Sequence, residues 1–454
     1  MIRSLVLFIL CATVGFADLN FSAASVEEST QIRSDSFLIH RSQKPCPPPR
    51  PLLSPAIYKI SWDIHFSPYA GGEDLLFAHR LVERCQTYLT GKSPIVYSKS
   101  SYARMWRLSE LILLWLPANY MAMVVQHEVF GHGYRIRDIN RGRAEVRGYS
   151  FNAPPPYGGG GGATSYRFSE DLTTTEESAI SIGGVEATAI LAQLTKLKWL
   201  GSGRIDPRQS ILYLLSQHDL NLYIGSLKTQ GTLSGHDIHG YIDALNYTYP
   251  DNLLSGARLR SLSWINLADP FTFYAIYSWF HYLSSGKESA IPMIGSCYLP
   301  GLRLGLTPFG PEVFFENYFL QKKQPLYVYF KGGHHAKNNY YGLGFYAPYF
   351  WIRKKWTLGA RLDLWHQPKL LLEPGTIPTT QIDFDQKPST QDPLYPYSDR
   401  HAERFGGAGS LIASYQGESS LGYEVEGGYK SEGFLPGYSL RASPVVRLGC
   451  TLIF

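Results

Sequence analysis

The last third of the chain carries a regular alternation of apolar and polar residues, which begins near residue 298. In "KWTLGARLDL" (355–364), Leu358 and Leu362 alternate with Arg361 and Asp363, and "GLRLGLT" and "LGYEVEGGY" repeat the pattern. Successive side chains of a strand point to opposite faces, so a period of two predicts strands with one apolar and one polar face. About seven or eight such segments, separated by turns rich in glycine, proline and tyrosine, predict an antiparallel sheet over residues 298–454.

Charged residues occupy the polar face of this predicted sheet, and they are Arg303, Arg361, Asp363, Glu424, Glu426 and Arg447. Aromatic residues crowd the strand ends, as in "YYGLGFYAPYFW", and both features are typical of membrane β-barrels with a polar interior. The end of the chain, "SPVVRLGCTLIF", resembles the last strand of bacterial outer-membrane barrels, which finish on an aromatic residue. The resemblance implies an antiparallel β-barrel of about eight strands. Its partners would be outer-membrane lipid and the barrel assembly machinery, which would recognise Phe454. A periplasmic or secreted β-domain is the alternative.

The first 56 residues indicate export. Arg3, an apolar run over 5–14 and a small-x-small site ending at Ala17 predict a signal peptide over residues 1–17. Residues 18–56 end in "KPCPPPRPLLSP", and such proline density predicts an extended linker. In an oxidising compartment a disulfide between Cys46 and Cys85 is possible.

Residues 57–297 show mainly helical spacing, and they include two long apolar segments, "RLSELILLWLPANYMAMVVQHEVFGH" (107–132) and "EESAISIGGVEATAILAQLTKLKWL" (176–200). Pro117 should kink the first segment or restart it. No segment is a clean run of about twenty uncharged apolar residues, so transmembrane helices are not predicted. The predicted fold is therefore α+β and multidomain, with a helical zincin-like domain followed by the barrel. The net charge of +5 shows no basic stripe, so the sequence does not indicate nucleic acid as a partner.

Two histidines in "HEVFGH" are five residues apart, which is one more than in the zinc-protease pattern H-E-x-x-H. Residues i and i+4 lie on one face of a helix, whereas i and i+5 diverge by about 140°. The imidazoles of His127 and His132 converge only if the helix absorbs one extra residue as a π-bulge, a rare feature that is concentrated at functional sites. Gly131 would ease this distortion. A chance pair of histidines without a metal is the alternative.

The sequence "HEVFGH" resembles the H-E-x-x-G-H motif of the dipeptidyl peptidase III family of metallopeptidases and matches its four fixed positions. The resemblance implies Zn²⁺ as the cofactor, His127 and His132 as ligands, and Glu128 as the catalytic general base. It also implies a third ligand from a glutamate on a later helix. Glu186 is the matching candidate and Glu177 a second one, although the surrounding "SIGGVEA" departs from the family's pattern. A carboxylate inside an apolar helix also needs a cation or a metal on physical grounds.

Other polar residues are candidates for the surroundings of this site. His236 and His239 in "SGHDIHGYIDAL" are possible second-shell groups, and Asp237 or Asp243 could orient a ligating imidazole. Tyr157, beside a glycine run, could form a lid, although a flexible loop is equally compatible with the sequence. His334 and His335 are best explained as a hairpin tip, because adjacent side chains of a strand point to opposite faces.

Three functions are compatible with these features. The first is a zinc-dependent hydrolase of the cell envelope, a metallopeptidase acting on a peptide or protein, whose helical domain is periplasmic or surface-exposed and is tethered to an outer-membrane barrel. The second is a non-enzymatic barrel protein whose helical domain binds a partner or plugs the lumen. The third is a barrel enzyme that acts on lipid.

Overall fold

The computed structural model describes residues 58–90, 99–139, 143–227, 235–295, 297–321, 324–373, 388–390, 393–417 and 421–452. The predicted signal peptide, the proline-rich linker, Cys46 and Phe454 lie outside these residues. Residues 54–454 belong to one compact unit, which contains both the helices and the large sheet. The predicted boundary at 297/298 coincides with the start of the continuous run of strands within this unit.

The helical half begins after a short strand, β1 (Tyr58–Asp63), which is followed by α1 (Pro68–Thr90). One long helical segment then contains α2 (Ser101–Glu110), a first π-helical turn (Leu111–Trp115), α3 (Leu116–His127), a second π-helical turn (Glu128–His132) and α4 (Gly133–Ile139). The first π-helical turn ends two residues before Pro117, where the sequence predicts an irregularity. A widened turn there relieves the clash between the proline ring and the preceding backbone.

A two-stranded hairpin and a long central helix follow. The hairpin consists of β2 (Ala144–Phe151) and β3 (Gly162–Phe168), and β3 occupies part of the segment predicted as a flexible loop. The central helix is α5 (Thr174–Ser202), whose N-terminus is closed by a capping box between Thr173 and Glu176. The remaining helical-half elements follow in chain order: β4 (Arg204–Ile205), α6 (Pro207–Gln217), α7 (Asp219–Ser226), α8 (Asp237–Thr248), α9 (Gly256–Leu262), α10 (Trp264–Leu267), α11 (Pro270–Ser285) and β5 (Ser289–Ala290).

The C-terminal half is antiparallel, as predicted. Its elements are β6 (Tyr298–Thr307), β7 (Gly310–Gln321), β8 (Gln324–His335), β9 (Asn338–Arg353), β10 (Trp356–Pro368), α12 (Tyr397–Arg400), β11 (Glu403–Gln416), β12 (Leu421–Lys430) and β13 (Ser443–Leu452). The N-terminal β1 adds a ninth strand beside β13, with Ile60 opposite Cys450. Within the described residues the sheet is open, with β1 at one edge and β6 at the other. The expected closed barrel of about eight strands is therefore an open sheet of nine.

The helices pack against the charged face of this sheet. Lys196 of α5 donates to Glu316 of β7 at 2.9 Å and to Asp269 at 2.6 Å, and all three side chains are buried. From α1, the Tyr69 ring lies 4.1 Å from the guanidinium carbon of Arg361. Buried charges are tolerated only when they are paired. The charged positions that predicted a polar lumen thus hold helices in place.

The opposite face of the sheet exposes apolar side chains to the surroundings. Leu362 and Leu364 of β10, Leu411 of β11 and Val425 of β12 are each more than one-third exposed, whereas Asp363 beside them is buried. This arrangement reverses the usual distribution in a water-soluble protein.

Among the described residues, two helical segments are long and apolar enough to cross a membrane by length and composition, and they are Ser101–Ile139 and α5. The most apolar window of α5 is 89% buried inside the protein, so α5 is a core helix. The corresponding window of Ser101–Ile139 is only 33% buried.

Candidate metal centre

The second π-helical turn brings the two histidines of "HEVFGH" together. The helix widens over Glu128–His132, as the five-residue spacing predicts. The Nε2 atoms of His127 and His132 lie 3.1 Å apart, and both side chains are buried. A regular α-helix would have separated the two rings, so the extra residue is what creates the pair.

The carboxylate that joins the two histidines belongs to Asp237, the first residue of α8. Its Oδ2 atom lies 3.1 Å from Nε2 of His127 and 3.2 Å from Nε2 of His132. Burial alone would raise the pKa of Asp237, but the two imidazoles outweigh it and hold the pKa below its ordinary range. Asp237 therefore stays ionised beside the two rings.

The hydrogen-bond partners of the two Nδ1 atoms determine whether each Nε2 atom carries a hydrogen or a lone pair. Nδ1 of His127 lies 2.8 Å from Oδ2 of Asp219, and Nδ1 of His132 lies 2.7 Å from the carbonyl oxygen of Ile180. Both partners are acceptors, so in a neutral imidazole each Nδ1 carries the hydrogen and each Nε2 presents a lone pair. In this neutral form two lone pairs and an anionic oxygen point at one another, an arrangement that requires a cation between them. Without a cation, protons take its place, because burial, which lowers the pKa of both imidazoles, is outweighed by the nearby aspartates, which raise it.

These three donors fit a zinc ion. Ligands at 2.0–2.2 Å in a tetrahedral site lie about 3.3 Å from one another, which is close to the 3.1–3.2 Å separations of the donor atoms. Catalytic zinc sites use three protein ligands and keep a fourth position open. Asp219, which also accepts from Thr188 at 2.9 Å, fixes the orientation of the His127 ring, as outer-shell carboxylates do in metal sites.

Glu186 lies elsewhere, and this corrects the prediction for the third ligand. Its carboxylate accepts from the guanidinium of Arg135, with a distance of 3.0 Å from Nε, and from the backbone N–H of Gly437. The predicted need for a cation is thus met by an arginine one helical turn after the motif. Glu177, the other candidate, does not belong to the cluster of potential ligands formed by His127, His132 and Asp237.

Three glycines allow the motif helix to approach α5 closely. A Cβ atom on Gly131 would lie 2.6 Å from the carbonyl oxygen of Gly183, and one on Gly184 would lie 2.2 Å from Nε2 of His127. Glycine inside a helix costs about 1 kcal/mol relative to alanine. The "GG" pair of α5 is therefore a sequence signal for close packing against the imidazole.

We expect Gly184→Ala to disturb the centre, because its methyl group must displace the His127 ring. Overpacking of this kind costs about 1–3 kcal/mol of stability, and misorienting a ligand should weaken zinc binding by about 10- to 100-fold. Competition with a zinc chelator measures the affinity. Gly240→Ala on α8 is the matched control, since its new methyl group would meet only the Ser181 hydroxyl, at 3.2 Å. Equal zinc affinity in the two variants would contradict this packing role.

Glu128 lies at the loop end of the β2–β3 hairpin, where β3 begins. Its Oε2 accepts from the hydroxyl of Thr164 at 2.7 Å, and the side chain is buried. A Cβ atom on Gly162 would lie 2.9 Å from Cγ of Glu128, so the start of β3 packs directly on this residue. In the loop that joins the two strands, the Tyr157 hydroxyl donates to the carbonyl oxygen of Leu113 at 2.7 Å. The connecting loop and the start of β3 therefore lie along the motif helix.

Tyr223 of α7 is a site residue that the sequence did not reveal. Its ring stacks on that of His127, with centroids 5.1 Å apart and planes at 8°, and its hydroxyl lies 3.1 Å from Nε2 of His127. Burial raises the pKa of the phenol, and the charges of Asp237, Asp219 and Glu128 raise it further. The hydroxyl thus stays protonated and can donate a hydrogen bond at the centre.

The other predicted residues have local roles. His236 caps α8 by accepting from the backbone N–H of His239, and its Nε2 lies 2.9 Å from the Ser226 hydroxyl. His239 pairs with Asp243 at 3.0 Å. Neither histidine belongs to the potential ligand cluster, although the His236 ring packs edge-to-face against Tyr223.

Comparison with protein-family models, curated proteins and solved structures finds no match to this chain. The interpretation of the centre therefore depends on its own geometry and on the sequence motif.

Proposed function

We propose that this protein is a zinc-dependent hydrolase of the cell envelope, a metallopeptidase embedded in the outer membrane. The proposal depends on one observation, the convergence of the His127 and His132 imidazoles with the Asp237 carboxylate. These groups form a possible three-ligand site, and the carboxylate residue Glu128 follows the first ligand directly in the sequence. Two histidines and one carboxylate also suit Fe²⁺. The position of Glu128 favours hydrolysis, since this arrangement supplies a general base next to the metal.

The chemistry can be divided among the groups of the centre. His127, His132 and Asp237 would hold the zinc ion, which when bound would supply a Lewis acid for the scissile carbonyl and for a water molecule. Glu128 accepts the proton of the attacking water and then passes it to the leaving amine. The Thr164 hydroxyl orients the Glu128 carboxylate. Tyr223 donates a hydrogen bond to the negative charge that develops on the substrate oxygen.

The unpaired edge of β3 favours a peptide over a lipid as the substrate. Among the described residues β3 pairs only with β2, so its other edge is open to a further strand, and Thr164 of the same strand contacts Glu128. An extended peptide can add to such an edge as a further strand. A lipid ester offers no matching series of hydrogen-bonding groups.

The sheet supports a location in the membrane. Its strands have 10 to 16 residues from β6 to β13, and a tilted strand needs about 9–11 residues to cross a bilayer. The exposed apolar face described above would contact lipid. If the protein is a membrane barrel, we expect heating to change its mobility on a gel, and this measurement tests the location.

The decisive experiment compares the mature protein with Glu128→Gln. We expect about one zinc per chain in both proteins by elemental analysis, which also measures iron, and hydrolysis of a peptide library only by the unaltered protein. Loss of a general base typically costs about 10²- to 10⁴-fold in rate. Retained hydrolysis in Glu128→Gln would refute the mechanism. Metal binding without hydrolysis in either protein would identify the centre as structural.

A further inference from the structure

Helices occupy the space between the two edges of the open sheet. α11 packs along β6 at one edge, and α1 packs along β1 at the other. Between them lie α2, which contacts α11, and the first π-helical turn, in which the indole N–H of Trp115 donates to Gln86 of α1 at 3.0 Å. The Trp115 ring also packs on His79 of α1, with centroids 4.6 Å apart. Sheet and helices together therefore surround the buried helix α5.

The outer surfaces of α11 and of the first π-helical turn are apolar, whereas α2 exposes Arg104 and two serines beside its apolar side chains. α11 contains no Asp, Glu, Lys or Arg over its sixteen residues. Phe273 and Tyr277 on this helix are each 60% exposed, and Leu113 in the first π-helical turn is 53% exposed. Further exposed large apolar side chains of α2, the first π-helical turn, α10 and α11 are Met105, Trp106, Leu114, Trp264, Leu267 and Ile276. Large exposed apolar patches mark interaction surfaces, and α2 contacts both α11 and the first π-helical turn.

We infer that these helices face the acyl chains of the same bilayer as the sheet, so that α2, the first π-helical turn and α11 complete the membrane-facing wall that the strands leave open. The inference rests on the proposed membrane location. Its support is the low burial of the most apolar window of Ser101–Ile139, against the 89% burial of α5. A second support is the continuity of the helical patch with the sheet through the contact between α11 and β6.

Lipid explains this surface better than a protein partner does. Protein interfaces carry a polar rim and about one hydrogen bond per 100–200 Å². The exposed face of α11, by contrast, consists of Phe273, Ile276 and Tyr277 without a charged neighbour on the helix. A second copy of the chain would also cover only one side of a surface that continues around the sheet.

Site-directed spin labelling in vesicles of phosphatidylethanolamine and phosphatidylglycerol tests this assignment. The mature protein, with its native cysteines replaced by serine, receives single cysteines at Ile276, Leu113, Leu411 or Glu145. Leu411 reports on the sheet, and Glu145 is an exposed hairpin position whose side chain is 62% accessible. Frequent collisions of the spin label with oxygen indicate that the label is in lipid. Frequent collisions with a water-soluble nickel chelate indicate that it is in water. Circular dichroism verifies that each labelled protein is folded, and Phe273→Cys replaces Ile276→Cys if that variant fails to fold.

We expect high oxygen and low nickel accessibility at Ile276, Leu113 and Leu411, and the reverse at Glu145. Nickel accessibility at Ile276 and Leu113, with a lipid signature at Leu411, would overturn the inference and leave the membrane location intact. Low accessibility to both reagents at Ile276 and Leu113 would overturn it in favour of a covering protein. A water signature at all four positions would remove the membrane location as well, whereas the zinc and hydrolysis measurements test the enzyme independently.

Discussion

Asp237→Ala is expected to abolish zinc binding and hydrolysis while leaving the protein folded. The substitution removes one of three ligands, so zinc affinity should fall by more than the roughly 100-fold that the loss of an outer-shell partner costs. The described contacts of Asp237 are with the imidazoles of His127 and His132 and with the Tyr223 hydroxyl. Its side chain is 19% exposed, and its removal leaves no arginine or lysine among these contacts without a partner. Elemental analysis and chelator competition provide the measurement.

Asp243→Ala is the matched control, because Asp243 also lies on α8 and also pairs with a histidine, His239. It should retain zinc at full stoichiometry. Zinc retained in Asp237→Ala with unchanged affinity would remove Asp237 from the ligand set. The two substitutions together separate ligation from a general electrostatic effect of an acidic residue on this helix.

Glu186→Ala is expected to destabilise the fold with little direct effect on the metal. The change removes the carboxylate that contacts the buried guanidinium of Arg135 most closely and leaves Asp138, 4.0 Å from Nη1, as its remaining acidic neighbour. Breaking a buried pair costs about 3–5 kcal/mol, and we expect the lower end of this range because Asp138 remains. The Gly437 N–H also loses its acceptor. This loss is a large part of the roughly 5–15 kcal/mol by which a typical domain is stable. The midpoint and slope of urea unfolding measure the change in the free energy of unfolding.

Glu145→Ala provides the surface comparison, since Glu145 pairs with Arg147 where both side chains are at least half exposed. Exposed pairs contribute about 0–1 kcal/mol, so this variant should unfold almost as the unaltered protein does. Glu186→Gln retains hydrogen-bonding atoms, so its free energy of unfolding should lie between those of Glu186→Ala and Glu145→Ala. A folded Glu186→Ala variant that has lost zinc would return Glu186 to the ligand set.

The sequence predicted those parts of the centre that depend on local geometry. His127 and His132 can bind one ion only if the helix between them is widened, and the structure contains that widening. The third ligand depends on how α8 packs against the motif helix, 105 residues earlier in the chain. The general argument that Glu186 needs a cation was correct, but local sequence could not distinguish a metal from Arg135.

The sheet shows the same division between local and long-range information. Alternation located β6 to β13 because each strand carries its own pattern. It could not show that the six residues of β1, far away in sequence, pair with β13. Nor could it show that Lys196 and Tyr69 from helices would lie against the charged face, because a polar face has the same pattern whether water or another element covers it. The sequence did not predict β3, because the strand begins in a glycine-rich segment and glycine has a low strand propensity.

The widened turn at Glu128–His132 limits how this centre can change during evolution. Because the turn absorbs one extra residue, the residues after it keep the angular positions that they would have on a regular helix. A deletion that restored an α-helical turn would therefore give the four-residue histidine spacing and leave Arg135 facing Glu186. A point substitution does not change the number of residues in the turn, so it cannot produce that spacing. The spacing of the two histidines can thus change only by loss of a residue, whereas the buried pair after the turn is preserved.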